Sequence, residues 1–238
     1  MDKDAHPREH PHPVTLYYQD DLVTLYHGDC LTETAWLGAD VLVTDPPYGM
    51  SYRDRLGLHE AIEGDETTET RDLIIREWGS RAALVFGTWR VAKPHGVRNV
   101  LIWDKGTDLG MGASTPWGLS HEEVYVMGDW PALVAGGRIR EGGTPSRVPS
   151  VLRVRKPNNA STSRTLGHPT PKPIGLMEML IERCPPGVIA DPCAGSGATL
   201  VAARNLGRQS IGVELEERYC ELIAKRLQQQ AFDFGAIA

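Results

Sequence analysis

The tetrapeptide Asp45-Pro46-Pro47-Tyr48, directly after the apolar run Val41-Leu42-Val43, is the segment whose residue types most clearly suggest chemistry. Two prolines fix the backbone and cannot continue a strand ladder, so they predict a strand that ends in a rigid turn. A rigid turn does not explain why the segment also contains an acid and an aromatic residue, so these two residues indicate chemistry. A carboxylate and the outward-pointing carbonyl of Pro46 can accept the two N–H bonds of an aromatic amine, and such acceptors stabilise the positive charge that develops when the amine attacks an electrophilic methyl group. The Tyr48 ring offers a base a stacking face worth ~1–3 kcal/mol.

A second segment has the composition of a nucleotide cradle. The apolar pair Val188-Ile189 leads into Asp191-Pro192-Cys193-Ala194-Gly195-Ser196-Gly197, after which the pattern becomes helical. Gly195 and Gly197 permit close approach of the backbone to a ligand, and the free N–H groups at a helix start favour an anionic group. Leu200 stands where the dinucleotide fingerprint has its third glycine, so the turn alone does not identify the ligand.

Two acids are candidates for holding the adenosine part of such a ligand. Glu214 ends the run Ile211-Gly212-Val213, seventeen residues beyond Gly197, where a carboxylate can accept both ribose hydroxyls. Asp29 follows the first predicted strand and is placed to accept from an adenine amino group, although a turn alone also explains an acid there. Neither acid indicates which adenosine-containing cofactor the protein binds, because every such cofactor carries the same ribose and adenine.

Short β-branched runs alternate with helical patterns, which predicts a mostly parallel sheet covered by helices. The predicted strands are Leu22–His27, Val41–Asp45, Ala82–Gly87, Asn99–Asp104, Glu122–Met127, Gly187–Asp191 and Ser210–Glu214. Helices are predicted after the glycine turn and at Thr67–Ser80, Ile174–Arg183 and Glu216–Gln229. Val151–Val154 is a candidate for one more short strand.

The bulk composition fits one soluble α/β domain with an insertion. The 238 residues are 41% hydrophobic and 24% charged, and no apolar run approaches the ~18 residues of a membrane span. Residues 1–14 are polar and proline-broken and are predicted to be a disordered tail, with residues 15–238 as the catalytic domain. Four cysteines lie far apart without a C-x-x-C pair, which argues against a metal site or a disulfide framework and fits a reducing cytoplasm.

The basic residues are unevenly distributed. The net charge of −6 is unusual for a nucleic-acid binder, but positions 138 to 172 hold eight basic residues and one acid, Glu141. The segment at about 128–167 is rich in Gly, Pro, Ser and Arg and is interpreted as an inserted, DNA-facing element, with a solvated loop as the alternative. The candidate DNA-binding residues are Arg138, Arg140, Arg147, Arg153, Arg155, Lys156 and Arg164.

Together these segments resemble the amino-methylating DNA methyltransferases of the β arrangement, in which the target-base motif precedes the cofactor motif. The resemblance implies an α/β fold with a Rossmann-like seven-stranded methyltransferase sheet, mostly parallel with one antiparallel strand, in circularly permuted motif order. Glu122–Met127 would be the antiparallel strand next to the edge. The resemblance also implies a catalytic role for Asp45, Pro46, Pro47 and Tyr48 at the target base.

The cofactor implied by the resemblance is S-adenosylmethionine. It would be bound by Asp191, Cys193, Gly195, Ser196 and Gly197, with Glu214 on the ribose and Asp29 on the adenine. The segment His168-Pro169-Thr170-Pro171-Lys172-Pro173 looks like the family element before the cofactor strand, where Thr170 and Lys172 would lie near the methionine end. Cys193 departs from the family, which often has phenylalanine there, and this departure bears on affinity rather than on the reaction.

The expected activity is methylation of N6 of adenine in double-stranded DNA after base flipping, in the cytoplasm of a prokaryote or a phage-infected cell. Family members that act on N4 of cytosine more often carry Ser at the first motif position, so Asp45 favours adenine. The alternatives are an N4-cytosine methyltransferase, an NAD-dependent oxidoreductase and a catalytically silent DNA-binding module. The recognition sequence, a homodimer and a restriction endonuclease partner are left open.

Overall fold

The computed structural model describes residues 14–50, 64–106, 116–131, 148–155 and 170–235. Nine strands in these ranges form one sheet, and one short 3-10 turn (Ala35–Gly38) and four α-helices accompany it. The strands are β1 (Thr15–Gln19), β2 (Val23–His27), β3 (Val41–Thr44), β4 (Ala83–Gly87), β5 (Val97–Asp104), β6 (His121–Met127), β7 (Val151–Arg153), β8 (Ile189–Asp191) and β9 (Ser210–Glu214). The helices are α1 (Glu69–Trp78), α2 (Ile174–Ile181), α3 (Ala198–Asn205) and α4 (Glu217–Gly235).

The sheet has the order β1-β2-β9-β8-β3-β4-β6-β5-β7. The five strands from β2 to β4 in this order are parallel, and β6 is antiparallel to both of its neighbours. The mostly parallel α/β fold and the antiparallel direction of β6 are therefore as predicted. The predicted position of β6 next to the sheet edge is wrong, because β7 pairs with β5 and makes β6 the third strand from that edge. All seven predicted strands are present, with ends shifted by a few residues.

Two strands extend the predicted sheet at its edges. The candidate strand at Val151 forms as β7, which pairs with β5 in parallel. The first strand, β1, pairs antiparallel with β2 and was not predicted, because it is mostly exposed and offers no continuous apolar run. The Asp20 carboxylate stabilises the turn between them by accepting from the backbone N–H groups of Leu22 (2.9 Å) and Val23 (2.8 Å).

Apolar side chains cover both faces of the central strands, as expected for parallel strands between helix layers. On one face α2 and α3 pack over Phe86 and Trp103. On the other face α1 and the 3-10 turn contribute Trp78 and Trp36, whose rings stack with centroids 6.0 Å apart. The α4 helix packs through Ile223 against β2. No helix among the described residues is long and apolar enough to cross a membrane.

The topology creates a crevice between β8 and β3. The helix after β8 is α3, which leads to β9 on one side, whereas the helix after β3 is α1, which leads to β4 on the other side. Connections that diverge from two adjacent parallel strands open a crevice at the carboxyl ends of those strands, where open α/β sheets bind ligands. Asp191 ends one of these strands and Asp45 follows the other.

The predicted tail at residues 1–14 lies outside the described residues except for Val14, and so does most of the predicted insertion at 128–167. The division of the chain into tail, catalytic domain and insertion stays a prediction.

Candidate active site

The D-P-P-Y segment begins where β3 ends. Asp45 follows the fully buried Thr44, and its Oδ2 atom contacts the Lys172 ammonium group. The Oδ1 atom of Asp45 is buried and has no hydrogen-bond partner among the described residues. A buried carboxylate oxygen without a donor is costly, so its presence at the crevice marks a position for an incoming N–H group.

The charge of this carboxylate is controlled by its surroundings. Burial raises the pKa of Asp45, Lys172 opposes that rise, and Glu122 and Asp65 add to it. Although burial lowers the pKa of Lys172, the carboxylates of Asp45 and Glu122 raise it overall. The ammonium group therefore stays protonated beside Asp45. Burial and the negative charge of Asp45 also raise the pKa of Tyr48 well above the ordinary value, so its phenol stays neutral.

Asp65 holds the turn that carries Tyr48. Its Oδ1 atom accepts from the backbone N–H groups of Tyr48 (3.1 Å), Gly49 (3.0 Å) and Met50 (3.2 Å), and the residue is only 4% exposed. Gly49 has a φ of 82°, a left-handed conformation that brings three successive N–H groups towards one oxygen. Sequence reasoning missed Asp65, since no local pattern links it to a turn seventeen residues earlier.

The glycine turn occupies the other side of the crevice. Gly195 and Gly197 have φ values of 53° and 79°, which favour glycine. A Cβ atom at Gly197 would lie 2.7 Å from Cγ1 of Ile223, so this glycine permits close packing of α3 on α4. Its predicted contribution to the cofactor site stays a prediction, and its contact with Ile223 shows one way in which the glycine can act, through the position of the turn. Ser196 is buried, and its carbonyl accepts from the Arg226 guanidinium group.

Glu214 lies directly against this turn. Its Oε2 atom accepts from the backbone N–H of Gly195 (2.6 Å), and its Oε1 atom accepts from that of Glu216 (2.9 Å). Burial raises the pKa of Glu214 to about 7, although these two hydrogen bonds lower it. Each carboxylate oxygen keeps further acceptor capacity, so a diol with two hydroxyl donors fits the residue. This chemistry matches the ribose of an adenosine cofactor.

Asp191 joins the two sides of the crevice. Its Oδ1 atom accepts from the Thr44 hydroxyl (2.8 Å) and from the backbone N–H of Cys193 (3.2 Å), and Thr199 donates a further hydrogen bond. Burial raises its pKa to about 6, against the effect of these donors. The residue therefore supports the predicted cofactor site by fixing the glycine turn to β3.

The remaining predicted cofactor residues lie around this centre. Asp29 is half-buried after β2, where its Oδ1 atom accepts from the backbone N–H of Leu31 (2.8 Å). Cys193 is half-buried and hydrogen-bonds with the Cys30 thiol; this bond and burial raise the pKa of Cys193. Thr170 is half-buried two residues before Lys172, whose ammonium group lies at Asp45. Lys172 thus reaches the target-base side, a placement that the resemblance did not predict.

Two of the predicted DNA-binding residues can be located. Arg153 ends β7 with its side chain 83% exposed, 3.6 Å from a carboxylate oxygen of Asp104, and Arg155 is exposed just beyond. Because β7 runs parallel to β5, both arginines lie at the sheet edge that holds the crevice. The other five lie outside the described residues, namely Arg138, Arg140, Arg147, Lys156 and Arg164.

A glycine turn and a buried acceptor meet at the crevice of a Rossmann-like sheet, which is where such sheets bind ligands. Comparisons with known proteins show which family of enzymes this chain is similar to. The DNA methylase family model, which covers N6 and N4 methyltransferases, matches residues 92–226. The putative methylase YubD of Escherichia coli (strain K12) is 31% identical over 231 residues, which cover 88% of this chain and 92% of that protein.

One further relative and one solved structure are similar to this chain. The Type II methyltransferase M.ScaI of Streptomyces caespitosus is 28% identical over 258 residues, which cover 90% of this chain and 84% of that protein. The crystal structure of the M1.HpyAVI complex with SAM has a TM-score of 0.56 at 20% identity, over 87% of this chain and 99% of that one. This chain belongs to the family of amino-methylating DNA methyltransferases, as its motifs predicted.

Proposed function

We propose that this protein transfers a methyl group from S-adenosylmethionine to N6 of adenine in double-stranded DNA, after the target nucleotide has been flipped out of the helix. The observation that carries the proposal is the buried Oδ1 atom of Asp45, which has no hydrogen-bond partner in the part of the chain that the structure describes. A substrate amino group is the donor that this oxygen lacks. The carboxylate is also the reason to favour adenine over cytosine, because Asp rather than Ser occupies the first motif position.

The Asp45 carboxylate prepares the amino group for attack. The nitrogen of an exocyclic amine is a weak nucleophile, since its lone pair is delocalised into the ring. When Oδ1 accepts one N–H and the Pro46 carbonyl accepts the other, the nitrogen becomes pyramidal and its lone pair points away from the ring. The carboxylate then stabilises the positive charge that develops on the nitrogen. The methyl group would pass to this nitrogen from the sulfonium of S-adenosylmethionine, which would leave as a neutral thioether, and the methylated nitrogen would afterwards lose one proton to solvent.

The cofactor supplies an electrophilic methyl group on a positively charged sulfur. The chain's own contribution is to hold the adenosine part: Glu214 accepts from the ribose hydroxyls and Asp29 from the adenine amino group. The Thr44–Asp191 hydrogen bond fixes this half of the site to β3, the strand that directly precedes Asp45. Correct relative placement of two reactants is itself a large part of catalysis.

The Tyr48 ring receives the flipped base. A paired base inside a duplex cannot present its amino group to Asp45 and its face to Tyr48 at the same time, so extrusion is required. The arginines after β7 carry the positive charge that holds the phosphate backbone beside the crevice.

Nucleoside analysis tests the proposal directly. DNA treated with the protein and S-adenosylmethionine is digested to nucleosides and examined by mass spectrometry. We expect N6-methyldeoxyadenosine with the native chain and none with Asp45→Ala, which should still bind the cofactor in equilibrium dialysis. N4-methyldeoxycytidine instead would overturn the adenine assignment, and an active Asp45→Ala variant would overturn the role of the carboxylate.

A further inference from the structure

We propose that Glu122 is a positioning residue: together with Lys105 it holds the Lys172 ammonium group against Oδ2 of Asp45, which leaves Oδ1 as the acceptor for the substrate amine. The inference rests on the proposed function, since it assigns a task to the same carboxylate. Neither Glu122 nor Lys105 belongs to a motif that the sequence singled out.

The four side chains form a row of alternating charge. Lys105 lies 2.5 Å from Oε1 of Glu122, Lys172 lies 3.4 Å from Oε2 of Glu122, and Lys172 contacts Asp45. All four side chains are largely buried. Their exposed fractions range from 7% for Lys172 to 24% for Asp45. Two cations balance two anions, so each buried charge has an opposite neighbour, without which it would be strongly destabilising.

The sheet explains how Glu122 reaches Lys172. β6 carries Glu122 and β3 precedes Asp45, and these strands are separated by β4. The Lys172 ammonium group lies above that intervening strand, 5.1 Å from the centroid of the Phe86 ring. It therefore contacts a carboxylate on either side. Buried prolines at 171 and 173 flank Lys172 and restrict the backbone from which its side chain extends.

A lysine shared in this way has a defined position. If Asp45 were its sole anionic neighbour, the ammonium group could move along the carboxylate and engage both oxygens. The pull of Glu122 from the opposite side keeps it at Oδ2. Lys105, whose ammonium group lies 5.0 Å from the centroid of the Trp103 ring, in turn fixes Glu122. A shift of about 1 Å in a reacting group can cost on the order of a hundredfold in rate.

The test is the pH dependence of single-turnover methyl transfer by Glu122→Gln. We expect a roughly tenfold to hundredfold slower step with unchanged affinity for S-adenosylmethionine and DNA. Because the negative charge of Glu122 raises the pKa of Asp45, its removal should also move the acid limb of the profile to lower pH. The other charged or titratable groups around Asp45 are Lys172, Asp65, Tyr48 and Asp191, and none is changed in this variant.

Two control variants isolate the effect. Glu123→Gln changes the next residue of the same strand, whose carboxylate faces away and binds the Tyr125 hydroxyl (2.9 Å) and Lys93 (3.2 Å); its acid limb should coincide with that of the native chain. Glu122→Asp keeps the negative charge but shortens the side chain. Its acid limb should stay at the native pH, whereas its single-turnover methyl transfer should be slower.

An unmoved limb in Glu122→Gln, or an equal shift in Glu123→Gln, would overturn the positioning role. Failure of the proposed function is distinguishable, because the native chain would then yield no methylated adenine at any pH.

Discussion

Replacement of Gly197 by alanine should destabilise the fold through a collision with α4. The backbone at Gly197 has a φ of 79°, where an L-residue costs ~1–2 kcal/mol. A Cβ atom there would lie 2.7 Å from Cγ1 and 3.1 Å from Cγ2 of the fully buried Ile223, and overpacking of this kind costs ~1–3 kcal/mol. The expected loss in the free energy of unfolding is therefore about 2–5 kcal/mol.

A double-mutant cycle with Ile223→Ala separates the two contributions. Ile223→Ala removes both Cγ atoms, so Gly197→Ala in this background should cost only the ~1–2 kcal/mol of backbone strain. The free energies come from urea titrations at equal m-values. Gly175→Ala is the matched control, since a Cβ atom at this exposed glycine of α2 meets nothing within 4 Å and should stabilise the protein by ~0.5–1 kcal/mol.

The same variants decide how Gly197 serves the cofactor. If the added methyl acts by displacing the turn from α4, equilibrium dialysis should show weakened binding of S-adenosylmethionine in Gly197→Ala and partial recovery when Ile223→Ala makes room. An identical cost of Gly197→Ala in both backgrounds, with no recovery of binding, would refute this reasoning and place the methyl group in the path of the ligand.

Three further perturbations have defined outcomes. Asp65→Asn replaces a charged acceptor of three N–H groups, so we expect slower single-turnover transfer at unchanged cofactor affinity; a native rate would remove Asp65 from the site. Tyr48→Ala should weaken binding of DNA carrying 2-aminopurine at the target by ~1–3 kcal/mol and reduce its fluorescence rise, whereas Tyr48→Phe should match the native chain; equal losses would exclude stacking. Alanine at Arg153 and Arg155 should lower the log–log salt slope of DNA binding by ~0.9 for each lost phosphate contact, and an unchanged slope would support a solvated loop.

The sequence predicted the central fold well because its core strands are apolar on both faces. Val41-Leu42-Val43 alternates between the two apolar layers, and that pattern is readable without coordinates. The edge strand β1 was missed for the opposite reason. Its register is fixed by pairing with β2 and by the Asp20 turn rather than by a buried face of its own.

The candidate site was predictable where a motif is local in sequence. Asp45 directly follows β3 and Glu214 ends β9, so both lie at the carboxyl ends of strands as their motifs imply. The roles of Asp65 and Glu122 depend on contacts between segments far apart in the chain, such as the three N–H groups gathered at Asp65. Residue type alone does not distinguish such a carboxylate from one at the surface. The reach of Lys172 across β4 likewise depends on the sheet order, which brings β6 next to β4.

The Thr44–Asp191 hydrogen bond explains how a permuted chain can still couple its two half-sites. The base motif precedes the cofactor motif by more than half of the chain, yet β3 and β8 are neighbours in the sheet. Thr44 is fully buried directly before Asp45, and its hydroxyl donates to the carboxylate that also accepts from the glycine turn. A buried carboxylate with a pKa of about 6 is mostly ionised at neutral pH and needs these donors, so displacement of either segment would leave a charge unsatisfied. The hydrogen bonds to Asp191 therefore hold the glycine turn and the strand before the D-P-P-Y segment in one fixed relation, whatever the order of the two motifs along the chain.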